Sequence, residues 1–314
     1  MTVTDTPPPG AGKSLRRARP RYAERAVELI LLVAALVSVL TTVGIVIAIL
    51  GPTIEFFLEP GVDLWNVLTG TTWTPLFAEA QREFGVLPLV TATLTTSVIA
   101  LLVAIPVGLG AAIYLAEYAT PGARRVLKPV LEVLAGIPTV VYGFFALAFL
   151  TPTLLQRFVE VGTFNMLSAG LVMGIMIIPT VASLSEDAMT AVPQSLRDGA
   201  YGLGSTKMAV STKVVVPAAI SGIVAAFVLG VSRAVGETMI VALAAGQTPN
   251  FTLNPLEGGQ TMTGFIARAA QGDQPTGSIG YESLFAVAAL LFVLTIFFNF
   301  ISIRLVRRFR EEYE

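Results

Sequence analysis

Long stretches without a charged residue are the feature that most constrains this chain. A transmembrane helix needs ~20 mostly apolar residues. Five charge-free stretches meet that length: 29–54, 84–116, 133–156, 161–185 and 283–303. A sixth, 214–246, is equally long but contains Arg233 and Glu237. The pattern predicts an all-α integral membrane protein with about six transmembrane helices.

Composition supports this class and excludes several kinds of enzyme. Of the 314 residues 54% are apolar and only 13% charged, which is too few charges to cover a soluble globule of this length. The chain has no Cys and no His, which excludes disulfides, thiolate nucleophiles, zinc clusters and a His general base. No Asp falls in a predicted span, so a membrane hydrolase with paired intramembrane Asp residues is also disfavoured.

The distribution of Lys and Arg predicts the topology. Six basic residues precede the first apolar stretch, three lie in 116–128, three in 185–213 and four follow the last stretch. The other side receives only Arg82, Arg157 and Arg268. Because positive residues concentrate in cytoplasmic segments, we expect a multi-pass membrane protein with both termini in the cytoplasm.

These signals divide the chain into tails, spans and loops. We expect a disordered cytoplasmic tail over 1–25, a transmembrane domain over 26–310 and a cytoplasmic tail over 311–314. The predicted spans are 29–52, 88–115, 131–155, 163–184, 216–245 and 282–304. The predicted long connections are the external loops 53–87 and 246–280 and the cytoplasmic loop 185–213. The aromatic residues of the first external loop, among them Trp65, Trp73, Phe77 and Phe84, suit an interfacial position.

One short run in the N-terminal tail resembles part of a nucleotide-binding P-loop but does not match the whole motif. Gly12-Lys13-Ser14 matches the end of a phosphate-cradling P-loop, but Pro7 stands where the first glycine is required. No strand is predicted before it. We therefore expect ATP to be bound by another chain.

The cytoplasmic segment 185–213 and the residues just after it carry a spaced pattern. Asp198-Gly199-Ala200 is followed after three residues by Gly204, and after nine more by a Val-rich run that ends at Pro217. This resembles the EAA motif of ABC-importer permeases, with Asp198 in place of Glu and Gly199 in place of the first Ala. The resemblance implies a short coupling helix that docks on an ATPase subunit, with Gly204 allowing a tight turn. A plain amphipathic interfacial loop is the alternative.

The second functional signal is the run Arg233 to Thr238 inside the sixth stretch. An ionisable residue inside a span costs at least ~2.5–3.5 kcal/mol and usually marks a pathway, a relay or a paired site. Arg233 and Glu237 are four residues apart, so a continuous helix would place them on one face as a pair. Such a pair is either structural or part of an oxyanion pathway, in which Arg233 offers a planar charged fork. We take Arg233, Glu237 and Thr238 as pathway candidates.

Several runs in the chain are similar to those of permeases in the phosphate-specific (Pst) importer. They are Arg233 to Thr238, FGVLPL at 84–89, GLGAAIYLAE at 108–117, LAGIPTVVYG at 134–143, and 196–207. The resemblance covers about 26–310. The long first external loop, with Thr72-Trp73-Thr74-Pro75, resembles the PstC-type subunit rather than its PstA partner.

That resemblance implies a fold, partners and a cargo. The fold is a core five-helix type I ABC importer permease (MetI-like) fold with a cytoplasmic coupling helix. The expected partners are a PstA-like permease in a heterodimer, a PstB-like ATPase dimer that holds ATP and Mg, and a PstS-like phosphate-binding protein on the outer face. The expected location is the bacterial plasma (inner) membrane, where lipid surrounds the chain, and no nucleic acid is expected. The chain itself would bind no cofactor and catalyse no reaction, while phosphate passes Arg233 and Glu237.

Two other transport functions stay open on the residues alone. One Arg does not separate tetrahedral anions, so the same architecture could carry sulfate, molybdate or another oxyanion. An ion-coupled secondary carrier would use Glu237 as a proton site, but it should show internal repeats around broken helices. No repeat is evident, and that function gives the 198–217 pattern no role.

Overall fold

A computed structural model of the chain describes residues 22–272 and 274–308. The predicted tails 1–25 and 311–314 lie mostly outside that part, as does the Gly12-Lys13-Ser14 run, although 22–25 are helical. Fourteen helices occur in the described part: α1 (Tyr22–Leu58), α2 (Leu64–Thr69), α3 (Leu87–Ile113), α4 (Pro121–Gly136), α5 (Thr139–Phe145), α6 (Gln156–Phe158), α7 (Met166–Thr190), α8 (Gln194–Gly202), α9 (Lys207–Val210), α10 (Val216–Ala218), α11 (Ile220–Gly236), α12 (Met239–Ala244), α13 (Met262–Gln271) and α14 (Ile279–Arg308). π-Helical turns extend α3 over Tyr114–Tyr118, join α5 to α6 over Ala146–Leu155 and join α9 to α10 over Ser211–Val215.

Five helical stretches are long and apolar enough to cross a membrane. They are Glu24–Leu58, Leu87–Tyr118, Thr139–Phe158, Met166–Thr190 and Ile279–Arg304. A bent pair, Lys207–Ala218 with Ile220–Gly236, makes a sixth if it is counted as one span. The prediction of an all-α architecture with about six spans is confirmed.

Helix α1 contributes to two units of the chain, which divide between Ala48 and Ile49. In the first unit its side chains from Glu24 onward are exposed, apart from a half-buried Val46. The charge-free apolar sequence of this part suits a helix surrounded by lipid. In the second unit the same helix contributes Phe56, which is fully buried.

Helices α3 and α7 form the centre of the second unit, and small residues bring them close. A Cβ atom at Gly170 would lie 2.7 Å from Cβ of Ile99, and one at Gly174 would lie 2.9 Å from the carbonyl oxygen of Ala100. Only glycine fits at either position. Close approach through small residues is the usual way in which membrane helices pack, because lipid gives no hydrophobic drive for helices to associate.

The third predicted span, 131–155, is wrong at its start. Helix α4 ends at Gly136, and Ile137 is extended, with φ −67° and ψ 128°. The next residue, Pro138, has no N–H group and disfavours a helical conformation in the residue before it. The spanning stretch therefore begins at Thr139, and α4 is a separate helix that has no fully buried side chain.

The fifth predicted span, 216–245, is not one continuous helix. Helix α11 ends at Gly236, Glu237 is extended (φ −68°, ψ 131°), and α12 begins only at Met239. At the other end, the helical segment before Ala219 is bent by 71° from α11. Glycine is a poor helix former, and a carboxylate can cap the N–H groups of a following helix, which favours a break at this point.

An aromatic core stabilises the segment between α1 and α3. Trp73 and Phe84 are buried, and the ring of Trp73 meets that of Phe265 edge-on with centroids 5.2 Å apart. Phe84 makes a similar contact with Phe56, at 5.3 Å. Trp73 and Phe84 therefore pack inside the protein, whereas Trp65 is 74% exposed, and the predicted interfacial position of these residues stays a prediction. Aromatic pairs in this geometry add stability beyond their buried area.

The same segment contains a contact between two backbone stretches. A Cβ atom at Gly85 would lie 2.2 Å from the carbonyl carbon of Gly70. The N–H of Val86 also donates to the carbonyl of Val67, at 2.9 Å. The segment after α2 is therefore held directly against the start of α3.

Candidate pathway and coupling sites

Arg233 lies on the last turn of α11 and contacts α7. Its Nη1 donates to Oγ1 of Thr180 at 3.0 Å, and its Nη2 lies 3.7 Å from the sulfur of Met176. The side chain is half-buried. A guanidinium carries five N–H donors, so these two contacts leave donors that can bind an anion.

Glu237 does not pair with Arg233. Because Glu237 is extended, the two side chains do not share a helix face, and no ion pair joins them in the described structure. Oε1 of Glu237 instead accepts hydrogen bonds from the backbone N–H groups of Met239 (3.0 Å) and Ile240 (3.2 Å). The predicted ion pair is wrong, and the buried carboxylate caps the first turn of α12.

A neighbouring segment holds the break between α11 and α12. The carbonyl oxygen of Glu237 accepts a hydrogen bond from Oγ1 of Thr263, at 2.7 Å. Thr238 is half-buried, and its hydroxyl lies 3.4 Å from the carbonyl of Gly236. Arg233, Glu237 and Thr238 therefore lie together around one break in the fifth span, and their role as pathway residues stays a prediction.

The EAA-like pattern forms the short helix α8 and a turn. Asp198 and Gly199 are exposed on α8, and Asp198 accepts a hydrogen bond from Nε2 of Gln194, at 3.0 Å. Gly204 has φ +79°, a conformation that favours glycine, so the tight turn implied by the resemblance is present. Ala200 is half-buried, and its carbonyl accepts from the N–H of Ser205.

Arg197 attaches α8 to the spanning helices. Its Nη2 donates to Oε1 of Glu117 and to the carbonyl of Met189, at 3.0 and 2.8 Å, and its Nη1 donates to the carbonyl of Val192, at 2.6 Å. Both side chains of the ion pair are largely buried. Glu117 lies in the π-helical turn that extends α3, and Met189 lies in the last turn of α7. The exposed face of α8 is thus fixed to the ends of two spans.

Comparison with known proteins identifies the family. Residues 104–311 match the family described as "Binding-protein-dependent transport system inner membrane component". The chain belongs to this family. It is therefore a multi-pass membrane protein and a transporter permease subunit.

Two relatives show how far the similarity extends along this permease. It is 36% identical over 271 residues to "Probable ABC transporter permease protein YqgH" of Bacillus subtilis (strain 168), which covers 86% of each chain. It is 32% identical over 312 residues to "Phosphate transport system permease protein PstC" of Xylella fastidiosa (strain 9a5c), covering 93% of this chain and 91% of the relative. The resemblance to PstC-type permeases is confirmed.

Solved structures confirm the fold of the permease. It matches a chain from a bacterial ABC transporter that imports the acidic polysaccharide alginate, with a TM-score of 0.61 and 16% identity over 91% of this chain and 99% of that one. It also matches the MetNI methionine ABC transporter, with a TM-score of 0.55 and 19% identity over 72% and 95%. The predicted MetI-like importer fold is therefore correct.

The permease contains an ion-pair cluster that the sequence analysis missed. Glu186 is completely buried in α7, where it accepts hydrogen bonds from Arg124 and from Nζ of Lys128, the latter at 2.9 Å. The hydrogen bond to Glu186 raises the pKa of Lys128 and outweighs the opposing effect of burial. The predicted span ended at 184 and placed Glu186 in the loop, but α7 continues to Thr190. The spacing of Arg124 and Lys128 by four residues on α4 was the available signal.

A cavity connects this cluster with the surroundings of Arg233. Its volume is about 280 Å³, and Lys128, Glu132, Glu186 and Thr180 are among its lining residues. Thr180 is also the residue that receives the hydrogen bond from Arg233. Polar groups on α4 and α7 thus line a space that reaches Thr180, the hydrogen-bond partner of the half-buried guanidinium.

Proposed function

We propose that this chain is the PstC-like permease subunit of an ATP-driven importer that carries inorganic phosphate across the plasma membrane. The observation that carries the proposal is its similarity, over 93% of its length, to a permease named for phosphate transport. The membrane fold and the helix α8 support the same function.

In this proposal α8 is the point at which the ATPase moves the permease. The exposed residues Asp198 and Gly199 contact the ATPase, and Gly204 and Pro217 delimit the segment that transmits its motion. Arg197 links α8 to Glu117 and to the carbonyl groups of 189 and 192 by hydrogen bonds, three of which lie between 2.6 and 3.0 Å. A displacement of α8 therefore reaches α3 and α7 without a flexible joint.

Arg233 would provide the charge that draws phosphate into the pathway. Its guanidinium is not neutralised by a carboxylate within 4.0 Å in the described structure, since Glu237 caps α12 instead. Planar N–H donors match phosphate oxygens well. Glu237 and Thr238 shape the break on which Arg233 is presented, and a single Arg gives a transient site from which the anion can leave.

The remaining components follow from the same family likeness. A PstA-like permease completes a heterodimer, a PstB-like ATPase dimer binds ATP and Mg, and a PstS-like protein delivers phosphate. This chain then has no enzymatic activity of its own. Both of its termini lie in the cytoplasm. Sealed inverted vesicles expose the cytoplasmic face of the membrane, so added protease should remove a tag placed at either terminus.

Uptake of radiolabelled phosphate tests the proposal, with sulfate measured in parallel. The host cells lack their own high-affinity importer and carry this chain with its partners. The chain is unaltered, carries Arg233→Ala, or carries Arg157→Ala as the matched control, since Arg157 is an exposed arginine far along the chain from the break. We expect ATP-dependent phosphate uptake that Arg233→Ala abolishes and Arg157→Ala preserves at equal protein level.

The two parts of the proposal fail separately. Uptake of sulfate without phosphate would overturn the cargo and leave the importer. Undiminished phosphate uptake in the Arg233→Ala variant would show that Arg233 is a structural residue and that the pathway assignment is wrong.

A further inference from the structure

A second polar cavity lies in the region of the loops predicted to be external, away from the Arg233 break. Its volume is about 150 Å³. Three pieces of chain line it: the loop after α2, the loop after α12 and the helix α13. Its polar lining residues are Trp73, Thr74, Thr248, Gln260 and Arg268.

Two hydrogen-bond donors of this lining have no partner. Trp73 and Gln260 are each only 2% exposed, yet the indole Nε1–H of Trp73 and the amide Nε2 of Gln260 form no hydrogen bond in the described structure. Buried polar groups are nearly always bonded, so an unpaired one needs an explanation. Two unpaired donors beside one cavity call for an acceptor.

One guanidinium lines this cavity, and a second bonds to one of its lining residues. Arg268 lines the cavity and donates one hydrogen bond, from Nη1 to the carbonyl of Gln247 at 2.8 Å. Arg82 donates from Nε to the carbonyl of Phe77, another lining residue, at 3.0 Å. Neither guanidinium forms an ion pair among the described side chains, and none of the lining residues is acidic.

We propose that this cavity is an outer binding site for a small oxyanion, held by the charge of Arg268 and by the N–H donors of Trp73 and Gln260. The unpaired N–H groups of Trp73 and Gln260 call for an acceptor, and the guanidinium of Arg268 favours one that carries negative charge. On the proposed function, on which its identity rests, the oxyanion is inorganic phosphate, bound here before it reaches Arg233.

Trp73 itself reports binding. The chain has two tryptophans, and Trp65 is mostly exposed, so Trp65→Phe leaves Trp73 as the single indole emitter. The full chain carrying this change is reconstituted in phospholipid nanodiscs and titrated with inorganic phosphate, sulfate or chloride at matched ionic strength. We expect a saturable change in Trp73 emission with phosphate and none with chloride.

Variants separate this site from the pathway. Arg268→Gln should weaken the apparent affinity by about tenfold or more, because a charge-assisted bond is lost. Gln260→Leu, which removes an unpaired donor without leaving a new one, should weaken it without lowering thermal stability. Arg233→Gln should leave the titration unchanged. Circular dichroism and gel filtration show whether the Arg268→Gln variant is folded. If it is not, the titration of the Gln260→Leu variant alone tests the site.

Each outcome has a defined meaning. The site would be overturned if Trp73 emission does not respond to phosphate, or if it responds equally to chloride. The same conclusion would follow if neither Gln260→Leu nor a folded Arg268→Gln variant changes the titration. If phosphate uptake is normal in those cases, the proposed function stands. A saturable response to sulfate but not to phosphate would support the oxyanion site and overturn phosphate as the cargo.

Discussion

Replacing Arg197 by Met tests the connection between α8 and the spanning helices. The change keeps an unbranched, flexible apolar stem but removes the guanidinium. It leaves the carboxylate of Glu117 buried without its partner, and the carbonyl groups of Met189 and Val192 lose their donors. The main cost is that of the isolated buried charge, because the side chain of Glu117 is only 5% exposed.

The expected magnitude follows from that burial. Removing one partner of a buried ion pair costs about 3–5 kcal/mol. Each 1.4 kcal/mol is a factor of about ten, so the local opening of α8 should become roughly a hundredfold to several thousandfold more frequent. Replacing both partners, as in Arg197→Met with Glu117→Met, removes the stranded charge and should restore much of the loss.

Hydrogen–deuterium exchange of the α8 amides in the purified transporter measures this opening. Coupling is read from phosphate uptake relative to ATP hydrolysis, which should fall in Arg197→Met while hydrolysis continues. Ser195→Ala is the matched control, since Ser195 is exposed on the same helix and is not among the residues proposed to contact the ATPase. If the α8 amides exchange at the same rate in Arg197→Met as in the unaltered chain, Arg197 does not anchor α8. If they exchange as fast in the double variant as in Arg197→Met, the stranded charge of Glu117 is not the main cost.

Three further changes test the segment between α1 and α3, the break between α11 and α12, and the ion-pair cluster around Glu186. Gly85→Ala should lower stability by about 3 kcal/mol or more, because the added Cβ would lie 2.2 Å from the facing backbone. Gly110 has open space around it, so Gly110→Ala should not lower stability. Thermal unfolding of the two variants in detergent measures the difference. Glu237→Ala should lower stability by about 1–2 kcal/mol, because it removes the acceptor for two backbone N–H groups. Glu237→Gln keeps an acceptor oxygen and should lower stability less. If the two variants lose the same thermal stability, the capping role of Glu237 is wrong. Glu186 raises the pKa of Lys128, so the stabilisation that this ion pair provides is present below the ordinary pKa of 10.5 and is lost only as the pH rises beyond that value. The difference in unfolding midpoint between the native chain and Glu186→Gln should therefore stay constant from roughly pH 7 to 9. A decline of that difference within this pH range would contradict the ion pair.

The sequence predicted the candidate site only in part. It singled out Arg233 and Glu237 because charge inside an apolar stretch is costly, and the two residues do lie around one break. The expectation that they pair assumed a continuous helix, which Gly236 and the capping by Glu237 interrupt. No local pattern revealed Arg197 as an anchor, since Glu117 lies 80 residues away in the chain.

The aromatic residues of the loop 53–87, predicted to be external, show the same limit. The interfacial preference of tryptophan predicted a membrane-surface position for Trp73, but the residue is buried because Phe265, a distant residue of α13, packs against its ring. Trp65, with the same propensity and no such partner, is exposed.

By itself the sequence determined the class of protein, the approximate number of spans and the tight turn at Gly204. These depend on short-range properties, since a bilayer requires continuous apolar length and a turn requires a particular residue at a particular place. Only the tertiary structure decided which charges meet. The partners of Arg197, Glu186 and Arg233 come from other helices, and burial makes such contacts strong while sequence distance hides them.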